Sequence, residues 1–255
     1  MGSARRGRRL RGRLKAAGAA LALVLVVAVG GFVVWASTPY EAEPEALREA
    51  TASGVEVSVD GDVVIAPVEG GAEAGVVFYP GARVAPEAYV ASWAPIVAET
   101  SVLVVIPRMP LNLAVFDPDL AASVIAEGIG GVDEWYVGGH SLGGAMAASY
   151  VGGRTPDTVR GLVLWGSYAT EGARLSGRDD LEVVSVSGSR DGLSTPTAVR
   201  ERRDLLPGDA LVHEIEGMNH AQFGAYGDQS GDGVPEIDDE EARRALVEVM
   251  SAFLS

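Results

Sequence analysis

The 255-residue chain contains no cysteine, so it forms no disulfide, offers no thiolate nucleophile and holds no cysteine-ligated metal. Histidine is nearly as scarce: only His140, His213 and His220 could serve as a general base. The first 40 residues lack any acidic side chain and carry seven basic ones, Arg5, Arg6, Arg8, Arg9, Arg11, Arg13 and Lys15. Residues 41–255 reverse that balance, with 13 Arg against all 35 acids, a net charge of −22 inside an overall −15. A chain that is 47% hydrophobic and 22% charged is no disordered tail and can bury a sizeable core. The charge split points to two parts in different surroundings.

Residues 16–36 (AAGAALALVLVVAVGGFVVWA) run for 21 positions without a charge. At about 1.5 Å rise per residue, a helix of that length reaches across the roughly 30 Å hydrocarbon core of a bilayer. Trp35 and Tyr40 stand where an interfacial aromatic belt belongs. The basic tail 1–15 then stays in the cytoplasm and the remainder lies outside it. A cleaved signal peptide is the competing reading, against which the run exceeds the roughly 7–15 residues of a usual h-region. No polar face interrupts the run, which disfavours a buried core helix. The tail has no interleaved aromatics and precedes a −22 body, so no nucleic-acid partner is expected. Residues 37–54, rich in Pro and Glu, read as a linker with a short helix near 44–50 that holds the acidic body off an anionic membrane surface.

From residue 55 onward, short β-branched runs alternate with helical stretches. Strands are predicted at 55–59, 63–66, 75–79, 101–106, 134–137, 161–165, 182–187 and 211–215, and helices at 86–99, 119–127, 142–150, 198–205 and 239–253. The last helix opens on Asp238, Asp239, Glu240 and Glu241, suited to the positive end of a helix dipole. The alternation predicts an α/β fold. It would be a mostly parallel, doubly wound sheet of about eight strands with helices on both faces, an antiparallel hairpin over 55–66 and no large cap, preceded by one transmembrane helix.

Between a predicted strand and a predicted helix lies Gly139-His140-Ser141-Leu142-Gly143, a G-x-S-x-G. A turn sharp enough to present the Ser141 hydroxyl leaves no room for a Cβ at Gly139 or Gly143, and the helix start beyond it offers free N–H groups where an oxyanion would develop. Serine needs a base. His140 adjoins Ser141 and should point away from it, and His213 alternates within a strand as a sheet-face residue. His220 follows that strand in the loop Glu216-Gly-Met-Asn-His-Ala221, where its ring can reach over the sheet edge. The acid that orients it is expected on the preceding strand's loop, where Ser187-Gly-Ser-Arg-Asp-Gly192 supplies Asp191 in the chain order Ser, Asp, His. Oxyanion donors are expected at the Leu142 amide and, from the loop Phe78-Tyr-Pro-Gly-Ala-Arg83 after the third strand, at the Ala82 amide.

Through GGHSLGGAMAA, SGSRDG and EGMNHAQFG in that order, the chain resembles the α/β-hydrolase superfamily. Through FYPGARVAPEAY, MPLNLAVF and NHAQFGAYGDQSGDG it resembles more narrowly the membrane-anchored bacterial fold-5 group related to dienelactone hydrolases. The likeness covers about residues 55–254 and implies a Ser141, Asp191, His220 triad with oxyanion amides on Leu142 and Ala82. Where many relatives carry His-Gly at the oxyanion loop, this chain has Pro80-Gly81.

The function expected is a membrane-anchored, extracytoplasmic serine hydrolase of carboxylic esters or related acyl groups. The alternatives are a non-catalytic binding module on the same fold, or thioesterase, acyltransferase or perhydrolase chemistry on the same triad. The expected partners are a small acyl substrate and the membrane, with no cofactor, no metal and a monomeric state. Leu111, Leu113 and Phe116 are candidates to line an acyl pocket, and Arg83 is either a solvated side chain or an attractor of anionic substrate. Asp228, Ser230, Asp232 and Gly233 have the spacing of a calcium-loop start, followed by Glu236 and Asp239, but Pro235 and the lack of a flanking helix pair favour a solvated acidic turn.

Overall fold

A computed structural model describes residues 2–51, 54–154 and 159–255; Met1 of the basic tail and residues 52–53 of the expected linker lie outside these. The chain divides into two compact units, Met1–Thr38 and Pro39–Ser255. The first contains one helix, α1 (Gly2–Ala36). Its stretch Ala17–Ala36 has a mean hydropathy of 2.6 and is long and apolar enough to cross a membrane, a test that a signal sequence also passes. Leu21, Val24, Val27 and Val34 are all well exposed on it, and an all-round apolar surface of this kind is stable only once lipid or another apolar partner covers it.

The second unit is an α/β fold. Its strands are β1 (Val55–Asp60), β2 (Asp62–Pro67), β3 (Gly75–Tyr79), β4 (Leu103–Ile106), β5 (Trp135–His140), β6 (Gly161–Trp165), β7 (Glu182–Gly188) and β8 (Leu211–Ile215). Its helices are α2 (Pro44–Thr51), α3 (Val90–Thr100), α4 (Leu120–Ala126), α5 (Leu142–Gly152), α6 (Pro196–Glu201) and α7 (Asp239–Leu254). The strands form one sheet in the order β1-β2-β4-β3-β5-β6-β7-β8, antiparallel through β1, β2 and β4 and parallel from there on.

Alternation along the central strands feeds two cores, as expected of strands covered on both faces. Val76, Phe78, Val104 and Ile106 pack with α3 and α7, while Val77, Tyr79, Leu103 and Val105 pack with α4 and α5. On the first face Trp93 of α3 stacks on Trp165 of β6 at 4.7 Å between ring centres, and Phe78 lies 4.6 Å from Trp165. Helix α7 starts where the acidic run predicts, with the Asp238 side chain accepting from the Glu241 N–H at 2.8 Å. It buries Ala242, Leu246 and Met250 at four-residue spacing.

Two expectations are corrected. Strand β5 continues past Val137 to His140, pairing Gly138, Gly139 and His140 with Val163, Leu164 and Trp165; its two glycines have low strand propensity, and pairing on both sides overrides it. The linker expected over 37–54 is mostly part of the domain. The Tyr40 N–H donates to Arg83 O, the Ala85 N–H donates to Tyr40 O, and the Glu43 N–H donates to Ala225 O. Ala46 of α2 joins the core. The glutamate side chains that made this segment read as solvated take no part in these backbone bonds.

Strand order reverses between β3 and β5, the pair from which successive strands are laid down outward in opposite directions. Loops leaving the carboxyl ends of two such strands part to opposite faces and open a crevice. Tyr79-Pro80 and His140-Ser141 are the residues delivered there.

Candidate active site

Ser141 stands at the tip of the β5–α5 turn with φ 53° and ψ −123°, a conformation that costs a non-glycine residue about 1–3 kcal/mol. The surroundings enforce it. The Ser141 N–H donates to Trp165 O at 3.0 Å, Ser141 O accepts from Ala145 N–H at 3.2 Å, and the Ser167 hydroxyl donates to the same carbonyl at 2.7 Å. A Cβ on Gly139 would lie 2.7 Å from Tyr79 O, and one on Gly143 would overlap the carbonyl oxygens of both Tyr79 and Pro80. The G-x-S-x-G spacing therefore reflects a turn pressed against the loop that follows β3.

That loop carries the second expected oxyanion donor. The Gly81 N–H is already used, donating to the Tyr89 hydroxyl at 2.8 Å, whereas the Ala82 and Leu142 amides have no acceptor among the described residues. The Tyr89 hydroxyl lies 2.9 Å from His140 Nδ1 and, occupied as an acceptor by Gly81, donates to that nitrogen. Burial pushes the Tyr89 hydroxyl pKa far up, so it keeps its proton. His140 is fully buried, and burial, with His220 nearby as a second cause, holds its pKa well below 6.5. A neutral His140 thus lies under the His220 ring at 4.3 Å between ring centres.

The structure brings Asp191 and His220 together: His220 Nδ1 is 2.7 Å from Asp191 Oδ2, both side chains being inaccessible. Asp191 Oδ1 accepts from the Leu193 N–H at 2.8 Å and the Ser194 N–H at 2.6 Å, which fixes the carboxylate. A carboxylate partner assigns the proton of the neutral imidazole to Nδ1 and leaves Nε2 as the acceptor. Nε2 is buried with no hydrogen-bond partner, so Ser141 Oγ is not bonded to it in this state. His213 is exposed on the edge strand β8.

Of the other residues singled out, Leu113 is buried while Leu111 and Phe116 are exposed. The Arg83 guanidinium lies over the Tyr40 ring at 5.4 Å. The calcium-like spacing is put to other uses: Asp232 accepts backbone N–H groups, Glu236 pairs with Arg190, and Asp239 accepts from Gln222 Nε2. Among the described residues no three His, Asp or Glu side chains group as a metal site requires. Tyr89, Ser167 and Asp232 escaped the sequence reading as site residues; only Asp232 carried a signal, and it pointed to a cation.

Residues 75–244 match the sequence profile of the alpha/beta hydrolase family. No curated protein matches the chain in sequence. Among solved structures the chain is similar to a thermophilic esterase from the planctomycete Thermogutta terrifontis, with a TM-score of 0.56 at 14% identity over 79% of this chain and 91% of that one. It is also similar to EstE1, a thermostable carboxylesterase from a metagenomic library, at 0.55 and 16% over 83% and 95%. A third similar structure is a predicted CIB-like hydrolase from Thermoplasma acidophilum, at 0.53 and 18% over 78% and 97%. At these identities the likeness is one of fold.

Proposed function

Since the chain belongs to the alpha/beta hydrolase family, we propose that it is a serine hydrolase that cleaves carboxylic esters or related acyl groups through an acyl-enzyme. The observation that supports this reading is the Asp191–His220 pair with its unpartnered Nε2, whose His220 ring lies 4.3 Å from that of His140, the residue before the strained Ser141. Ser141 Oγ attacks the acyl carbon as His220 Nε2 takes its proton. The oxyanion is held by the Leu142 and Ala82 amides. On collapse the carbon–oxygen bond to the alcohol breaks, and the proton on Nε2 goes to the departing alcohol. Water repeats the sequence, losing its proton to Nε2, and Ser141 recovers one as the acid leaves. Asp191 keeps the imidazole in the right tautomer and stabilises the imidazolium. The Ser141–His220 hydrogen bond forms in the substrate complex, as catalytic contacts in unliganded enzymes commonly tighten on binding. The three similar structures support the class, two being named esterases and one a predicted hydrolase.

The same proposal takes residues 16–36 as an uncleaved anchor, with the basic tail cytoplasmic and the hydrolase domain outside. It is supported by the charge-free apolar helix preceded by seven basic residues. One experiment tests both parts: a membrane-impermeant fluorophosphonate probe applied to intact expressing cells. A full-length labelled band in the membrane fraction is expected, absent in Ser141→Ala. Labelling that survives Ser141→Ala overturns the nucleophile, a shortened labelled protein in the medium overturns the anchor, and labelling only after lysis overturns the topology.

A further inference from the structure

One carboxylate outside the proposed triad is engaged more heavily than any member of it. Asp232 Oδ1 accepts from the Gly192 N–H at 3.0 Å, the His220 N–H at 3.2 Å and the Gly233 N–H at 2.7 Å, and Asp232 Oδ2 accepts from the Ala221 N–H at 2.8 Å. The donors come from three stretches of chain. Gly192 follows Asp191 on the loop after β7, His220 and Ala221 lie on the loop after β8, and Gly233 belongs to the turn that carries Asp232. Four amides converging on one carboxylate make an anion nest whose anion is supplied by the chain itself. Charge-assisted bonds of this kind are the stronger sort and fix orientation as well as distance.

The turn is also wedged physically between the loops it joins. A Cβ on Gly192 would lie 2.6 Å from the Gly233 nitrogen, and one on Gly233 would overlap Arg190 O. Asn219 Nδ2 donates to Gly233 O at 2.9 Å, and Asn219 and Gln222 bond each other's main-chain N–H groups at 3.1 and 3.0 Å, bracketing His220. Asp191 and His220 themselves are joined by one side-chain hydrogen bond, and upstream of each the two loops are tied where the Ser189 N–H donates to Ile215 O and the Arg190 N–H to Met218 O, both at 2.9 Å, so that the bonds at Gly192, His220 and Ala221 are the ones that reach past the pair. Asp232 ties the main chain beside one to the main chain of the other.

We propose that Asp232 is a positioning residue that sets the register of the Asp191 loop against the His220 loop, so that the imidazole keeps both its bond to Asp191 and the aim of Nε2. It touches no reacting atom and acts through His220. The inference rests on the serine-hydrolase reading for its kinetic consequence but not for its structural one. It also assigns the acidic stretch 228–233 a role opposite to cation binding, since both oxygens of Asp232 already face N–H donors.

The test compares the wild-type full chain in detergent with Asp232→Ala, Asp232→Asn and Asp228→Asn. Asp228, exposed in the same turn, is the control. The readouts are turnover of p-nitrophenyl acetate per site titrated by the acyl-enzyme burst, KM, and the downfield proton resonance of His220 Nδ1–H in protein carrying labelled histidine. Misplacing a reacting group by about 1 Å costs on the order of 100-fold. Accordingly, Asp232→Ala is expected to lose about 10- to 100-fold in kcat per titrated site, with KM little changed and the downfield resonance displaced. Asp232→Asn, which keeps one acceptor oxygen but turns an NH2 group toward the remaining donor, should fall between Ala and wild type. Asp228→Asn should match wild type. If Asp232→Ala does not fold, the near-isosteric Asn variant decides. A lower Tm with unchanged kcat per site and an unmoved resonance would make Asp232 merely structural and overturn the proposal, as would an equal loss in Asp228→Asn. Absence of burst and label in the wild type would instead overturn the hydrolase reading, and the resonance comparison would still decide whether Asp232 sets the loops.

Discussion

Close backbone approach and hydrogen bonds hold both halves of the candidate site, but in different proportion, and only the second half adds carboxylates that gather main-chain N–H groups. The Ser141 half is held mainly by exclusion: β5 turns into α5 so close beneath Tyr79 and Pro80 that no side-chain atom fits at Gly139 or Gly143. The Asp191–His220 half is held mainly by attraction, with Asp191 Oδ1 taking two main-chain N–H groups, Asp191 Oδ2 taking His220, and Asp232 taking four more N–H groups. The first half should fail when an atom is added and the second when a charge or an acceptor is removed. Failure in the first should show as lost stability, and failure in the second as lost turnover in a folded protein.

The largest effect on this contrast is expected from Asp191→Asn. The asparagine oxygen can keep the Leu193 and Ser194 amides, so the fold survives, but its NH2 group then faces His220 Nδ1 and favours the tautomer with the proton on Nε2. A serine facing a protonated Nε2 has no base, and kcat should fall by about 10⁴-fold. Circular dichroism and Tm should stay near wild type. A Tm loss comparable to that of a core truncation, with kcat per folded molecule preserved, would erase the distinction between the halves.

Next in size is Gly143→Ala, which adds one methyl against the Tyr79 and Pro80 carbonyls. Neither backbone oxygen can rotate away, so overpacking should cost about 3 kcal/mol, read as a shift of the urea midpoint. Gly153→Ala is the matched control, because its Cβ would sit in ordinary contact, 3.6 Å from Tyr150 O. Equal shifts for the two variants would show that the turn has slack and that exclusion does not hold Ser141.

The same difference explains what the sequence reveals. Exclusion leaves a trace in one short window, because glycine two before and two after a serine between a strand and a helix has few other causes. The sheet is legible for a related reason: strands covered on both faces demand runs such as Val-Val-Phe and Leu-Val-Val-Ile, which stand out without a partner sequence. Attraction across loops leaves no such trace. Asp232 bonds to amides 40, 12 and 11 residues away, and those amides are present whatever side chains Gly192, His220 and Ala221 carry. Only the acid is visible, in a spacing that suggests calcium. Tyr89 and His140 are similar: nothing in Pro-Glu-Ala-Tyr or Gly-Gly-His announces that they meet. Segment 40–51 misleads for the converse reason, since its side chains advertise solvent while its backbone and Ala46 make the contacts.

The smallest effect sharpens the comparison where the halves touch, at His140 and His220, whose rings meet at a tilt with centres 4.3 Å apart. His140 belongs to the Ser141 strand by sequence, yet it is held as the other half is, by a hydrogen bond to Tyr89. Its pKa in the folded state is depressed, chiefly by burial. Above pH 6.5, the ordinary value, His140 is neutral folded or unfolded and contributes no pH dependence. As pH falls below 6.5 the unfolded chain binds a proton there that the folded one refuses, so stability is lost with falling pH. His140→Asn can still accept from Tyr89 but does not titrate. It should be less stable than wild type at pH 8 through lost packing, and the gap should stay constant down to about pH 6.5 and then narrow. Urea unfolding of both proteins from pH 8 to pH 5 measures it. A gap that stays constant to pH 5 would mean that folded His140 takes up its proton as readily as the unfolded chain, and the ring beneath His220 would then be a charged partner and not a neutral support.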